Sequence, residues 1–207
     1  MENDIIAIVM AAGKGTRMKS KNSKLVQKIY GKEIVKRAVE NAEKAGVKDI
    51  VAVVGYKKEE VMKVLGDNIK YAFQDEMLGT GHAVMQAKEY LKGKKGKVLV
   101  LNGDVPLIRP ETLNKLIEKS IENKEYATLL TAIYDDPTGY GRIVRDEGGN
   151  IEGIVEEKDT TEEQKKIQEI NAGIYCFDIE ELLIALKELT PNNAQGEYYL
   201  TDVIKIM

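Results

Sequence analysis

The side chains best suited to chemistry lie close together near the start of the chain, in Gly13-Lys14-Gly15-Thr16-Arg17-Met18 and in Lys24 just beyond. Glycine lets a backbone take positive φ and bring its N–H groups up to an anion, and Lys14, Arg17 and Lys24 add positive charge. Such a loop holds phosphate and asks for no protein nucleophile. Lys14 reads equally well as a solvated surface lysine. Two familiar phosphate loops do not fit. A P-loop requires Gly, four residues, then Gly-Lys-Ser/Thr, but Lys14 is followed by Gly15 and no glycine precedes Gly13. A dinucleotide fingerprint requires a third glycine three places after Gly15, where the chain has Met18.

The elements that must position this loop follow from apolar patterning. Ile5-Ile6-Ala7-Ile8-Val9 reads as a buried strand that empties into the loop, and Leu25 to Ile29 as a short extended piece ended by Gly31. Helical spacing of Ile34, Val35, Ala38, Val39 and Ala42 leads to Gly46, then a strand at Ile50 to Val54, a short helix from Lys57 to Leu65 and a strand at Ile69 to Phe73. This is the rhythm of parallel βαβ units. A helix through Ala83, Val84, Ala87 and Leu91 follows the loop Gln74 to Gly81. The central strand Lys97 to Leu101 then ends in Asn102-Gly103-Asp104, where open α/β sheets bind ligands. Pro110 opens a helix through Ile121, and Ala127 to Ile133 is another strand. From Tyr134 onward, Gly139, Gly141, Gly148, Gly149 and Gly153 cut the chain into hairpin pieces, an antiparallel patch beside the main sheet. Ile170 to Phe177 returns to the sheet, Ile179 to Leu189 is an amphipathic helix, and Tyr198 to Ile206 begins another.

The first strand and its loop, Ala11-Ala12-Gly13-Lys14-Gly15-Thr16-Arg17-Met18 with Lys24, resemble the signature of sugar-phosphate nucleotidyltransferases. The family usually has Pro-Lys where this chain has Ser23-Lys24, which bears on how rigidly Lys24 is presented. Further motifs run from end to end in the family's order: Gln74 with Leu78-Gly79-Thr80-Gly81-His82-Ala83, Gly103-Asp104-Val105-Pro106-Leu107, Asp136-Pro137-Thr138-Gly139-Tyr140-Gly141-Arg142, Ile154 to Asp159, Gln168 to Asn171, and Asn193 to Tyr199. Together they resemble the uridyltransferase half of the bacterial bifunctional N-acetylglucosamine-1-phosphate uridyltransferases.

That resemblance implies a nucleotide-diphospho-sugar transferase fold: an α/β, Rossmann-like, mixed and mostly parallel sheet with helices on both faces and a small antiparallel sugar-binding patch. The chain reads as one domain over residues 1–207, with the nucleotide-binding part about 1–133 and the sugar-binding part about 134–207. The implied reaction is Mg²⁺-dependent. The phosphate of N-acetylglucosamine 1-phosphate attacks the α-phosphorus of uridine triphosphate in line, giving the uridine-diphosphate sugar and pyrophosphate. Arg17 and Lys24 are the implied catalytic cations. Ala11, Ala12, Gly13, Lys14, Gly15, Gln74, Gly79 and Thr80 are implied to bind nucleotide, and Asn102, Gly141, Glu156, Asn171 and Thr201 to bind sugar. Asp104 is the implied metal ligand, suited to Mg²⁺ as a hard oxygen donor. His82, the single histidine, invites an acid–base reading. No side-chain proton transfer is needed in such a reaction, so His82 reads as a helix-start packing or hydrogen-bonding residue.

Composition sets the remaining bounds. Hydrophobic residues make up 43% and charged residues 31%, with 31 Lys+Arg against 34 Asp+Glu for a net charge of −3. That balance speaks against general nucleic-acid binding. The single cysteine, Cys176, excludes an internal disulfide and reads as a buried strand thiol. With no signal-like segment and no apolar run near ~20 residues, no membrane association is expected and the protein is expected to be cytoplasmic. The resembled enzymes continue past residue 207 with a further metal-binding asparagine and a β-helix acetyltransferase domain. The expectation for these 207 residues is no acetyltransferase activity, no family trimer, an incompletely coordinated Mg²⁺ and binding of uridine triphosphate with poor turnover; the alternatives are another sugar-1-phosphate nucleotidyltransferase or a nucleotide-binding module with little turnover.

Overall fold

In the computed structural model, which describes residues 5–15 and 22–207, the strands that read as continuous apolar runs form the middle of a mixed sheet. In chain order the elements are β1 (Ile5–Ala11), β2 (Lys28–Ile29), β3 (Lys32–Glu33), α1 (Ile34–Lys44), β4 (Asp49–Val54), α2 (Lys58–Leu65), β5 (Lys70–Phe73), α3 (Thr80–Gln86), α4 (Lys88–Leu91), β6 (Lys97–Asn102), α5 (Pro110–Glu122), β7 (Ala127–Ile133), β8 (Arg142–Arg145), β9 (Ile151–Val155), β10 (Glu169–Asp178), α6 (Ile179–Glu188) and α7 (Val203–Ile206). Among the described residues the sheet has eight strands in the order β5-β4-β1-β6-β10-β8-β9, with β7 also paired to β10. β5, β4, β1 and β6 are parallel. β10 joins β6 antiparallel along Ile174 to Asp178, meets β8 at Ile170, and carries β7 on its opposite edge. The hairpin β8–β9 therefore extends the main sheet.

The central strands are apolar on both sides because both faces are covered, and alternation along each strand sorts the core in two. Ile6 and Ile8 of β1, Val51 and Val53 of β4, and Val98 and Val100 of β6 pack on the face of α3, α4, α6 and α7. Ala7, Val9 and Ala11, with Ile50, Ala52 and Val54 and with Leu99 and Leu101, pack on the opposite face against α1, α2 and α5. Cys176 is buried in that second layer, as its strand context requires, and burial pushes its thiol pKa up. Pro110 sits in the first turn of α5, where its missing N–H costs nothing.

Three local expectations are corrected. The segment 24–33 is a 3₁₀ turn at Lys24–Val26 followed by the small β2–β3 hairpin, not one extended piece. The helix after Gly81 breaks at the buried Ala87 into α3 and α4. Tyr198 and Tyr199 are not helical. Tyr198 exchanges backbone bonds with the loop before α3 and the first turn of α3, its N–H donating to the Leu78 carbonyl (2.8 Å) and its carbonyl accepting from the Gly81 N–H (2.7 Å), so helix begins only after it.

Candidate functional site

A cleft of about 480 Å³ opens at the C-terminal ends of β1 and β6. Parallel strands are forced to end on the same edge, so the loop after β1, the loop after β5 and the Asn102-Gly103-Asp104 turn converge there. Ala12, Gly13, Lys14, Gly15, Lys24, Gln74, Gly79, Thr80, Asn102 and Asp104 all line it. Residues 16–21 fall outside the described residues, and with them Arg17, Thr16 and Met18. The side chain of Ala11 lies in the core beneath the cleft, 1% exposed. Met77, Glu197, Met10, Leu25 and Ala83 also line the cleft. Ala83 and Glu197 fall inside the motifs above and Met10, Leu25 and Met77 beside them, but nothing local to these positions signalled that they face a ligand.

The glycines of the first loop differ in what they do. Gly13 does not take positive φ, and a Cβ there would meet no atom within 4 Å. Gly15 does, at φ +59°, and a Cβ there would come within 2.9 Å of the Lys24 Cβ. A bare backbone at 15 thus gives the Lys24 stem its place. Lys24 is held from the other side by Ser23, which stands 1% exposed where the family usually has proline. Its hydroxyl accepts from the Leu25 N–H (3.3 Å) and its own N–H donates to Glu60 Oε2 (2.9 Å). Lys24 Nζ lies 2.7 Å from Asp104 Oδ2, two side chains 80 positions apart in sequence. They are 34% and 39% exposed, so the ion pair is worth at most about 1 kcal/mol and either partner is readily taken by a phosphate or a cation.

Across the cleft, Gln74 is 3% exposed. Its Nε2 donates to the Gly79 carbonyl at 3.1 Å and lies 3.1 Å from His82 Nδ1. Gly79 has φ +108°, and a Cβ there would stand 2.5 Å from the Tyr198 carbonyl oxygen, so no other residue fits. The Thr80 hydroxyl accepts from the Leu200 N–H at 3.0 Å, which ties the loop to the segment before α7.

Gly141, Glu156, Asn171 and Thr201 form a second cluster, drawn from just before β8, just after β9, from β10 and from the segment before α7. The Thr201 hydroxyl donates to Glu156 Oε1 (3.1 Å), and the Asn171 N–H donates to the Gly141 carbonyl (2.9 Å). A Cβ on Gly141 would stand 3.5 Å from Glu156 Oε2 and 3.6 Å from the Asn171 Cβ. The Asn171 amide is fixed at both ends: Nδ2 donates to the Tyr175 hydroxyl (2.6 Å), and Oδ1 accepts from the Gly173 N–H (3.0 Å). Burial pushes the Glu156 carboxyl above its usual range, against the lowering effect of the Thr201 bond, and Asp202, Asp159 and Glu197 add repulsion. Asn102 joins the two clusters, since it lines the cleft and its Nδ2 reaches the Gly173 carbonyl at 3.5 Å. Arg142, 1% exposed, anchors the hairpin by pairing with Glu157 at 2.8 Å and bonding the Tyr140 carbonyl. It and Gly141 are the buried members of the Gly139-to-Arg142 stretch.

Among the described residues no group of three or more His, Cys, Asp or Glu is arranged to hold a metal ion, and no helix is long and apolar enough to cross a membrane. Residues 6–207 match the family described as nucleotidyl transferase. The bifunctional protein GlmU of Caldanaerobacter subterraneus subsp. tengcongensis is 54% identical over 204 residues, covering 99% of this chain and 44% of that protein. The chain thus spans less than half the length of the curated relatives it matches. Two solved structures share the fold. One, from Bacillus anthracis, is assigned as a glucose-1-phosphate thymidylyltransferase and was solved with sucrose (TM-score 0.79, 24% identity, covering 96% of this chain and 80% of that one). The other is a UDP-glucose pyrophosphorylase complexed with UDP-glucose (TM-score 0.76, 21% identity, 97% and 85% covered).

Proposed function

We propose that this chain, which belongs to the nucleotidyl transferase family, joins uridine triphosphate to N-acetylglucosamine 1-phosphate, releasing pyrophosphate and forming UDP-N-acetylglucosamine. The observation that carries the reading is the convergence in one cleft of the glycine loop, the Lys24–Asp104 pair and the Gln74-to-Thr80 loop, joined through Asn102 to the Asn171 cluster. In this reading residues before about 134 bind nucleotide and those after it supply most of the sugar contacts. The GlmU likeness favours N-acetylglucosamine over other sugars.

The chemistry needs positioning and charge neutralisation more than proton transfer. A phosphate oxygen of the sugar phosphate forms the new bond to the α-phosphorus as the bond to the β-phosphate oxygen breaks, and pyrophosphate leaves with the electron pair. The backbone of Ala12 to Gly15 and Arg17 would hold the triphosphate. Lys24, released from Asp104, would sit where charge grows on the α-phosphate. Glu156 and Asn171 would bind sugar hydroxyl and N-acetyl groups, the fixed Asn171 amide keeping one N–H and one lone pair unused among the described residues.

Family membership favours a divalent cation, and the donor set fits Mg²⁺, which takes one or two carboxylates and completes its shell with substrate phosphates. Asp104 would hold it, because its carboxylate is half-exposed in the cleft and only Oδ2 is engaged among the described residues. When bound, the ion would neutralise phosphate charge. The test is pyrophosphate release from a panel of nucleoside triphosphates and sugar 1-phosphates. Uridine triphosphate with N-acetylglucosamine 1-phosphate should be fastest by at least about tenfold, a difference of ~1.4 kcal/mol. Faster turnover with a thymidine or guanosine nucleotide, or with glucose 1-phosphate, would refute the assignment.

A further inference from the structure

His82 does not line the cleft, yet it touches the buried glutamine that does. Gln74 Nε2 lies 3.1 Å from the Gly79 carbonyl oxygen and 3.1 Å from His82 Nδ1. A carbonyl oxygen only accepts, so the amide nitrogen must face Gly79, and its second N–H is then aimed at Nδ1. A neutral imidazole has one N–H and one bare nitrogen, and two donors cannot bond to each other. Nδ1 must therefore be bare, with the proton on Nε2.

On the far side of the ring, Gln86 Nε2 lies 3.1 Å from His82 Nε2 and 3.1 Å from the His82 carbonyl oxygen. An amide nitrogen in that place asks for the opposite tautomer. The two glutamines compete for the ring's proton, and burial decides between them. Gln74, at 3% exposed, keeps its amide nitrogen at the Gly79 carbonyl on the side away from solvent, whereas half-buried Gln86 can offer its oxygen to the Nε2 proton and its N–H groups to solvent.

We infer that His82 is a positioning residue for base selection. With its proton on Nε2 it accepts from Gln74 and holds the amide so that Oε1 turns away from Gly79 and His82, toward the cleft that Gln74 lines. An oxygen fixed there accepts from a base edge that offers a donor, such as uracil N3–H, and repels one that offers an acceptor, such as cytosine N3. Without the His82 contact the amide keeps one bond, to Gly79, and is free to rotate. The inference rests on the reading that the cleft takes a uridine nucleotide, and adds what keeps the reading amide pointed.

Because the chain has a single histidine, ¹⁵N-histidine labelling gives one imidazole to observe. In the neutral ring, Nδ1 is expected as the bare acceptor and Nε2 as the protonated nitrogen. The opposite tautomer, or an even mixture, overturns the inference. Isothermal titration of UTP and of CTP then compares wild type with His82→Leu and His82→Asn. Leucine keeps apolar contact beside Tyr198, whose ring centroid lies 6.3 Å from that of His82, but offers no acceptor. The UTP-over-CTP preference should fall about tenfold, as expected for one lost buried hydrogen bond. Asparagine places an oxygen near the Nδ1 position and should keep the preference within about threefold. An unchanged preference in the leucine variant, or equal losses in both, overturns the inference. A wild-type chain that binds CTP as well as UTP refutes the uridine reading instead, and the tautomer measurement then decides alone whether His82 holds Gln74. Should the leucine variant fail to fold, the asparagine variant and the labelled wild type still decide.

Discussion

Replacing Gly79 with alanine tests whether the Gln74-to-Gly81 loop is held by one close backbone approach. An alanine at φ +108° and ψ 176°, a region essentially reserved for glycine, costs about 1–3 kcal/mol in backbone strain. That Cβ would also stand 2.5 Å from the Tyr198 carbonyl oxygen and 2.9 Å from its nitrogen, and backbone cannot swing aside as a side chain can. The loop and the Tyr198 segment must therefore part. The two bonds between them, Tyr198 N–H to Leu78 at 2.8 Å and Gly81 N–H to Tyr198 at 2.7 Å, are each worth about 1 kcal/mol net. The total is about 3–5 kcal/mol. Gly93→Ala is the control: its φ is +71° with open space around it, so it bears only the conformational cost of about 1–2 kcal/mol. Urea unfolding should show Gly79→Ala less stable than Gly93→Ala by about 2 kcal/mol. If the loop detaches while the domain stays folded, the same 2 kcal/mol appears as a roughly 30-fold rise in the Kd for UTP. Equal stability of the two variants, together with wild-type affinity for UTP in both, would refute the reasoning.

Asp104→Asn should lower cation-dependent pyrophosphate release sharply, with the loss greatest at limiting Mg²⁺, and full activity there would remove Asp104 from the site. Lys24→Ala should lower kcat by more than it raises the Kd for UTP, because its charge matters most as charge builds on the α-phosphate; equal changes in both would make Lys24 a simple binding residue. Asn171→Ala should raise the KM for the sugar phosphate at least about tenfold, as for a lost buried hydrogen bond, while UTP affinity stays within about twofold. An unchanged KM would place the sugar elsewhere. Glu156→Gln tests the raised carboxyl. Between its ordinary value of 4.5 and its raised native value the folded state binds more protons than the unfolded one, so wild-type stability falls as pH rises through that window. The glutamine variant, which keeps an acceptor for Thr201, should melt higher than wild type at neutral pH, with the difference shrinking as the pH is lowered toward 4.5. A difference that does not change with pH would mean the carboxyl is not raised.

Much of this architecture is local to the chain and so legible in its order of residues. β1, β4 and β6 announce themselves as short apolar runs because they are covered on both faces, and α1 and α5 by their 3.6-residue spacing. Ala12 to Gly15, Lys24, Gln74, Gly79, Thr80, Asn102 and Asp104 were identifiable by motif, and all of them line one cleft. What the order of residues does not carry is contact between segments far apart in it. The pairing of Lys24 with Asp104, the hold of Tyr198 on the loop at Leu78 and Gly81, and the link from Asn102 to Gly173 each join positions 71 to 120 residues apart. No local pattern encodes them. The same holds for Tyr198 and Tyr199, whose apolar surroundings suggested helix until their backbone groups were claimed by another loop, and for Ala11, whose place in the core follows from strand alternation beneath the cleft. Periodicity and turn chemistry act over a few residues and are written in sequence. Which loops meet is set by strand order and register, here by β10 inserting antiparallel beside β6 and bringing Gly173, which Asn171 holds, up to Asn102, and that is decided only when the sheet closes its hydrogen bonds.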